Sequence, residues 1–410
     1  MRAFRWLSFG FLVSIVVLIV GTISAQDALQ SSPYRVVGYY VSWAIYGREY
    51  YVTDIPADKL THINYAFANI SADHECILGD PWAEIEYPYP DDPAIDTVPY
   101  LGNFRQLNLL KAANPGLQIL ISVGGWTWSA RFSDVAATEE SRQIFATSCA
   151  DFMEQYGFDG IDLDWEYPTG GGHPLNRERP EDEENFVLLL QAVRDELDAR
   201  GEAAGRHYLL TIAAGASRST YEPLDWERIH PLLDFINVMT YDMSGGWSPR
   251  TGFNAPLYDS TANPPEGVST DSAMRGYVAM GVPADKLVLG VPFYGRGWSN
   301  VRAENNGLHQ PYNGLPNGTW EPGAFDYADL VENYLNNGYE RYWSDTANVP
   351  WLYNAETQIM ISYDDPESMA IKAQYVRDNG FGGIMFWEVS SDDDESSLLT
   401  AIYETLNAPE

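Results

Sequence analysis

Asp162, Asp164 and Glu166 recur at two-residue spacing within Phe158-Asp159-Gly160-Ile161-Asp162-Leu163-Asp164-Trp165-Glu166-Tyr167. Side chains of an extended strand alternate faces, so the three carboxyls project from one face and Ile161, Leu163 and Trp165 from the other. Large apolar residues opposite the acids indicate a strand buried on that side, as in barrel and doubly wound folds, not a solvated acidic face. Three like charges side by side destabilise a strand unless they share protons. At a rise of about 3.3 Å per residue, Asp164 lies about 6.6 Å and Asp162 about 13 Å from Glu166 along the backbone. Glu166 is therefore expected to exchange protons with Asp164 directly, and with Asp162 only through Asp164. Coupled acids titrate as a unit and hold a proton on the set. A Glu kept protonated near neutral pH is what glycosidic cleavage requires of its general acid. A carboxylate nucleophile or water-activating base would have to sit across the sugar ring, and no other residue offers that partner with comparable clarity. A nucleophile supplied by the substrate would close the gap.

The acids need a scaffold that presents them at a strand end. Eight runs read as strands: Val36–Val41, His62–Ala68, Gln118–Val123, Gly160–Glu166, Tyr208–Ala214, Phe235–Thr240, Leu287–Pro292 and Gly383–Trp387. Helical patterns lie between most of them, among them Asn103–Ala113, Ser141–Tyr156, Glu183–Arg200 and Met369–Asn379. Alternation of this kind predicts an α/β fold, a (β/α)8 TIM barrel with its chemistry at the strand C-terminal ends. Glu166, Tyr241 and Trp387 sit at or just past such ends. Between the seventh and eighth runs, residues 295–363 are rich in Gly, Asn and aromatics and include a run that reads as a hairpin, Trp351–Asn354 to Ile359–Ser362. A structureless loop of that length is rare, so a small α+β insertion is expected there. The barrel would then comprise residues 34–294 and 364–407. Residues 72–100 read as a long loop after the second strand.

These residues also carry a family signature. Asp159–Glu166, with Ser122-Val123-Gly124-Gly125-Trp126 before it and Met239-Thr240-Tyr241-Asp242 after it, resembles the glycoside hydrolase family 18 chitinases. Gly290-Val291-Pro292-Phe293-Tyr294-Gly295-Arg296 and Phe386-Trp387-Glu388 extend the likeness, which runs in order through nearly all of Tyr34 to Leu406. It is similar to the bacterial branch with an insertion domain after the seventh strand. The family is a known substrate-assisted exception to the two-carboxylate rule. The resemblance implies hydrolysis of β-1,4-linked N-acetylglucosamine in chitin and its oligosaccharides, with retention, as a monomer and without cofactor or metal. It implies that Glu166 protonates the glycosidic oxygen. Asp164 would bond the 2-acetamido nitrogen and stabilise an oxazolinium, and Asp162 would share a proton with Asp164, supported by Tyr39 and Ser122. Tyr241 would bond the acetamido oxygen while Asp242 and Met239 shape the pocket. Trp387 would floor the sugar at the cleavage point, and Trp126, Tyr294 and Arg296 would contact flanking sugars or support the insertion. Asp159 reads as structural, Gly124 and Gly125 as turn formers. The alternatives are an endo-β-N-acetylglucosaminidase, a wall-glycan hydrolase, or a non-catalytic chitin lectin, against which the presence of Glu166 counts.

Composition narrows the partners. With 24 basic against 58 acidic residues and a net charge of −34, nucleic acid is excluded as a partner and anionic membranes are disfavoured. Thirteen Trp and 27 Tyr exceed what a core needs and suit stacking on sugar rings. Residues 1–25 read as an export signal: Arg2 and Arg5, an apolar stretch from Phe9 to Val20, then the small-residue site Thr22-Ile23-Ser24-Ala25. An uncleaved anchor is the alternative, although the run is short for a span. Secretion follows from the first reading. Cys76 lies in a Gly/Pro/acid-rich loop and Cys149 in a helical apolar stripe, so two free thiols are expected rather than a bridge. His173 and His230 lack metal-ligand spacing.

Overall fold

The computed structural model describes residues 33–90, 99–259 and 268–409. The expected export signal, residues 1–25, lies outside them. Eight parallel strands form a ring: β1 (Arg35–Val41), β2 (His62–Ile70), β3 (Gln118–Gly124), β4 (Gly160–Asp164), β5 (Leu209–Gly215), β6 (Phe235–Met239), β7 (Leu287–Pro292) and β8 (Gly383–Trp387). Each pairs with its sequence neighbour, and β1 pairs with both β2 and β8, so the barrel closes without an edge. β-Branched and apolar residues dominate the strands because both faces of a barrel strand are buried. All five residues of β4 are buried.

Six helices of ten residues or more surround the ring among the described residues: α1 (Gly102–Ala113), α2 (Glu139–Tyr156), α3 (Asp182–Ala204), α4 (Thr270–Ala279), α5 (Pro366–Asn379) and α6 (Ser397–Leu406). Their ends are written locally. Thr138 caps α2 through the Ser141 amide, and Gly157 ends it in the left-handed region. Asp365 and Gly380 do the same for α5. The outward face of β4 and the residue beyond it pack on this layer. Trp165 stacks on Phe132 at 5.4 Å and meets Phe186 of α3 edge-on at 5.7 Å.

Between β7 and β8 stands a five-stranded antiparallel sheet, in spatial order 324–326, 294–298, 359–362, 349–354 and 340–344. The hairpin read from the sequence is its 349–354 and 359–362 pair, and a helical stretch covers residues 327–334. Phe253, Trp298, Trp351, Tyr353 and Met360 build a small core of its own. The long loop after β2 contains a two-residue strand, Cys76–Ile77, paired with Asn69 and Ile70, and a helical turn at Trp82–Glu86. Cys76 and Cys149 are both buried and both free. Among the described residues no helix is long and apolar enough to cross a membrane.

Candidate active site

One difference from the sequence reading bears on the chemistry. β4 ends at Asp164, so Glu166 is not part of the strand. The Gly125 amide takes the Asp164 carbonyl at 2.8 Å, and Ser129 Oγ donates to the same carbonyl at 3.1 Å. The chain then leaves the ladder. The Glu166 amide donates to Ser129 Oγ at 2.9 Å, and the Glu166 carbonyl accepts from Asn176 Nδ2 at 2.7 Å. Strand alternation places Asp162 and Asp164, whereas Ser129 and Asn176 place Glu166. Gly124 and Gly125 allow the close approach. Gly124 has φ +105°, and a Cβ there would lie 2.5 Å from the Asp164 carbonyl oxygen and 2.4 Å from the Phe132 ring.

The three acids occupy different environments. Asp162 is fully buried inside the barrel and accepts four hydrogen bonds from four strands. Tyr39 and Ser122 donate to Oδ2 at 2.7 Å each. Thr211 at 2.6 Å and Asn237 at 3.4 Å donate to Oδ1. Burial holds its carboxyl above the usual range, and the four donors reduce that rise without cancelling it. These bonds go to other strands, not to Asp164. Oδ1 of Asp164 is buried without a partner among the described residues. Burial first, then Glu166 and Asp162, hold its carboxyl well above the usual carboxylate range. Burial also pushes Glu166 up to about 7, with the charge of Asp242 adding to the rise. An acid poised there carries its proton at mildly acidic pH and can give it to a leaving oxygen.

The remaining expected residues gather around these acids. Tyr241, two residues past β6, has its hydroxyl 3.8 Å from Met385 Sδ, and the charges of Asp164 and Glu166 act on it. Met239, the last residue of β6, is partly buried against the core. Arg296 grips both oxygens of Asp242 at 2.8 Å, and Tyr294 donates to the same carboxylate at 2.8 Å. The contact ties the insertion sheet to the end of β6. Trp387 closes β8, stacked on Phe67 at 5.7 Å and flanked by Tyr39 at 5.6 Å and Trp43 at 6.4 Å. Trp126 is about half exposed, with the His173 ring edge-on at 6.0 Å. Asp159 lies at the opposite end of β4, held by Lys111 at 3.1 Å and Arg206 at 2.6 Å and accepting from the Ile119 amide. Its role is structural.

Buried acids stand at the strand ends of a closed barrel beside exposed indoles, the arrangement expected from the sequence, and comparison with known proteins gives the family. Residues 35–392 match the family described as Glycosyl hydrolases family 18. The chain belongs to that family. This family 18 chain is 46% identical to chitinase A1 of Niallia circulans over 94% of its own length and 60% of the relative's. It is 40% identical to chitinase 1 of Aphanocladium album, covering 90% of this chain and 85% of that one. Among solved structures, chitinase ChiA74 from Bacillus thuringiensis superposes with a TM-score of 0.86 at 44% identity, covering 91% of this chain and 69% of that one.

Several residues around the candidate site escaped the sequence reading. Ser129 and Asn176 lie in loops with no pattern that marks them. Thr211 and Asn237 sit in apolar strands at inward positions, so their parity was the available signal. Phe67, Trp43 and Trp247 reach the cleft only through the fold. The Arg296 guanidinium lies 5.2 Å from the Trp247 ring, whose indole is 62% exposed.

Proposed function

We propose that this family 18 chain is a secreted chitinase that hydrolyses β-1,4-linked N-acetylglucosamine with retention, using the substrate's own acetamido oxygen as nucleophile. Glu166 protonates the glycosidic oxygen. Asp164 meets the acetamido nitrogen as charge develops, Tyr241 orients the carbonyl oxygen, and water opens the oxazolinium from the vacated side. Trp387 floors the distorted sugar, and Trp126 and Trp247 offer faces to its neighbours. The names of the relatives support chitin as the substrate, and the reading of residues 1–25 as a leader, with Arg2, Arg5 and the small-residue site Thr22-Ile23-Ser24-Ala25, supports export. The five-stranded sheet after β7 supports placement in the insertion-bearing branch.

The observation that carries substrate assistance is the state of Asp242. It is the other carboxylate whose charge reaches Glu166, and Arg296 and Tyr294 occupy its oxygens. A carboxylate gripped in this way is a poor nucleophile or base. Proton NMR of the first-formed product from chitin oligomers, together with cleavage positions in partly deacetylated chitosan, tests the mechanism. The β-anomer and cleavage confined to acetylated sugars are expected. Initial α-anomer, or frequent cleavage after unacetylated glucosamine, would overturn it.

A further inference from the structure

Asp162 and Asp164 are two residues apart on β4, both buried, yet their oxygens are treated differently. An ionised carboxylate offers about four acceptor positions. Those of Asp162 are all used, by Tyr39 on β1, Ser122 on β3, Thr211 on β5 and Asn237 on β6. Asn237 donates through Nδ2, with its own Oδ1 buried without a partner among the described residues, and each hydroxyl that turned to accept would leave its own hydrogen without this partner. A proton on Asp162 would therefore displace a donor already in place. Asp164 meets no such resistance, because its Oδ1 has no partner among the described residues. The two ladders β3–β4 and β4–β5 fix this arrangement, with Ser122 opposite Asp162 and Asp162 opposite Thr211.

We propose that Thr211 and Asn237 are positioning residues that hold Asp162 as the anion of the acid set, so that the shared proton rests on Asp164 beside Glu166. They act on Oδ1, the oxygen that Tyr39 and Ser122 do not reach. The proposal rests on the glycosidase reading given above. The groups facing Asp162 leave few other sources of control. Tyr39 on β1 and Asp164 on β4 titrate, with Glu166 beyond Asp164. Asn64 on β2, Ser122, Thr211 and Asn237 do not. Gly290 of β7 and Met385 of β8 meet Tyr241 and carry no titratable group. Among the hydrogen bonds that favour the Asp162 anion, that of Thr211 contributes most and that of Asn237 least.

The test is the pH profile of kcat/KM on N-acetylglucosamine oligomers for the wild type, Thr211→Val, Thr211→Ser and Asn237→Ala. If the Asp162 anion is needed, its protonation sets the acid limb. Removing a donor to a carboxylate strengthens its hold on a proton, so Thr211→Val moves that limb up by about one pH unit. Thr211→Ser restores the hydroxyl and brings the limb back. Asn237→Ala moves it in the same direction by less, as its longer bond implies. Slower variants whose acid limbs stay in place overturn the proposal, as does a Thr211→Ser limb displaced as far as that of Thr211→Val. Should Thr211→Val fail to fold, Asn237→Ala decides alone. A wild type that cannot cleave the oligomers sinks the glycosidase reading and this assignment with it, whereas an active wild type with unmoved variant limbs sinks this assignment only.

Discussion

At the scale of single residues, Glu166 is governed by burial. Its pKa rises from an ordinary 4.5 to about 7 chiefly through loss of water. Activity is therefore expected to fall as pH rises through about 7 and the proton is lost. Stability follows the same sign. A carboxyl whose folded pKa is raised contributes stability that is full below its unfolded value and lost as pH rises through the folded one. Between pH 4.5 and about 7 the Glu166 contribution declines, and Glu166→Gln removes that decline. The Gln variant is expected to melt above wild type at pH 8 and to lose at least about 10³-fold in kcat, while calorimetry still finds oligosaccharide binding. Retention of a tenth of the activity would remove Glu166 from the role. The acid itself was legible in the sequence through its spacing. What holds it was not, because Ser129 and Asn176 come from loops whose conformation no periodicity encodes.

At the scale of elements, strand ends carry the site and the insertion sheet braces it. Trp387 ends β8 with one ring face against Phe67. Replacing it by Ala loses stacking worth on the order of 1 kcal/mol, so kcat/KM on oligomers should drop about five- to tenfold, and the packing lost against Phe67 should lower the melting temperature as well. Unchanged kinetics would make Trp387 a core residue. Arg296 links the 294–298 strand to Asp242 through two charged hydrogen bonds. Arg296→Ala should cost about 2 kcal/mol in chemical denaturation and release Asp242, with KM rising as the pocket beyond β6 loosens. Barrel strands and main helices were readable because each obeys its own period, and all eight strand ends fall within two residues of the expected positions. The exception in kind is β4, whose pattern of alternation continues past the point where Gly125 takes its last ladder bond.

For the molecule as a whole, charge is the distinctive quantity. A net charge of −34 repels itself, and salt screens exposed charges within about 10 Å at 0.1 M. The melting temperature should rise between low and moderate ionic strength, and a flat or falling curve would refute this. The acidic surface also sets the protein apart from the site, where the acids are buried and respond to desolvation more than to salt.

Residue types at two-residue and 3.6-residue spacings determined the strands, the helices, the barrel and the identity of the carboxyls proposed as catalytic. Local geometry alone decides which side chains share a face. Tertiary structure alone decided which oxygens those carboxyls meet. Asp162 and Asp164 are alike in sequence context, both flanked by large apolar residues. They differ because four other strands bring Tyr39, Ser122, Thr211 and Asn237 to the first and none of these to Oδ1 of the second. A carboxyl's charge depends on its surroundings within a few ångströms, and in a closed barrel those surroundings come from residues up to 123 positions away in the chain.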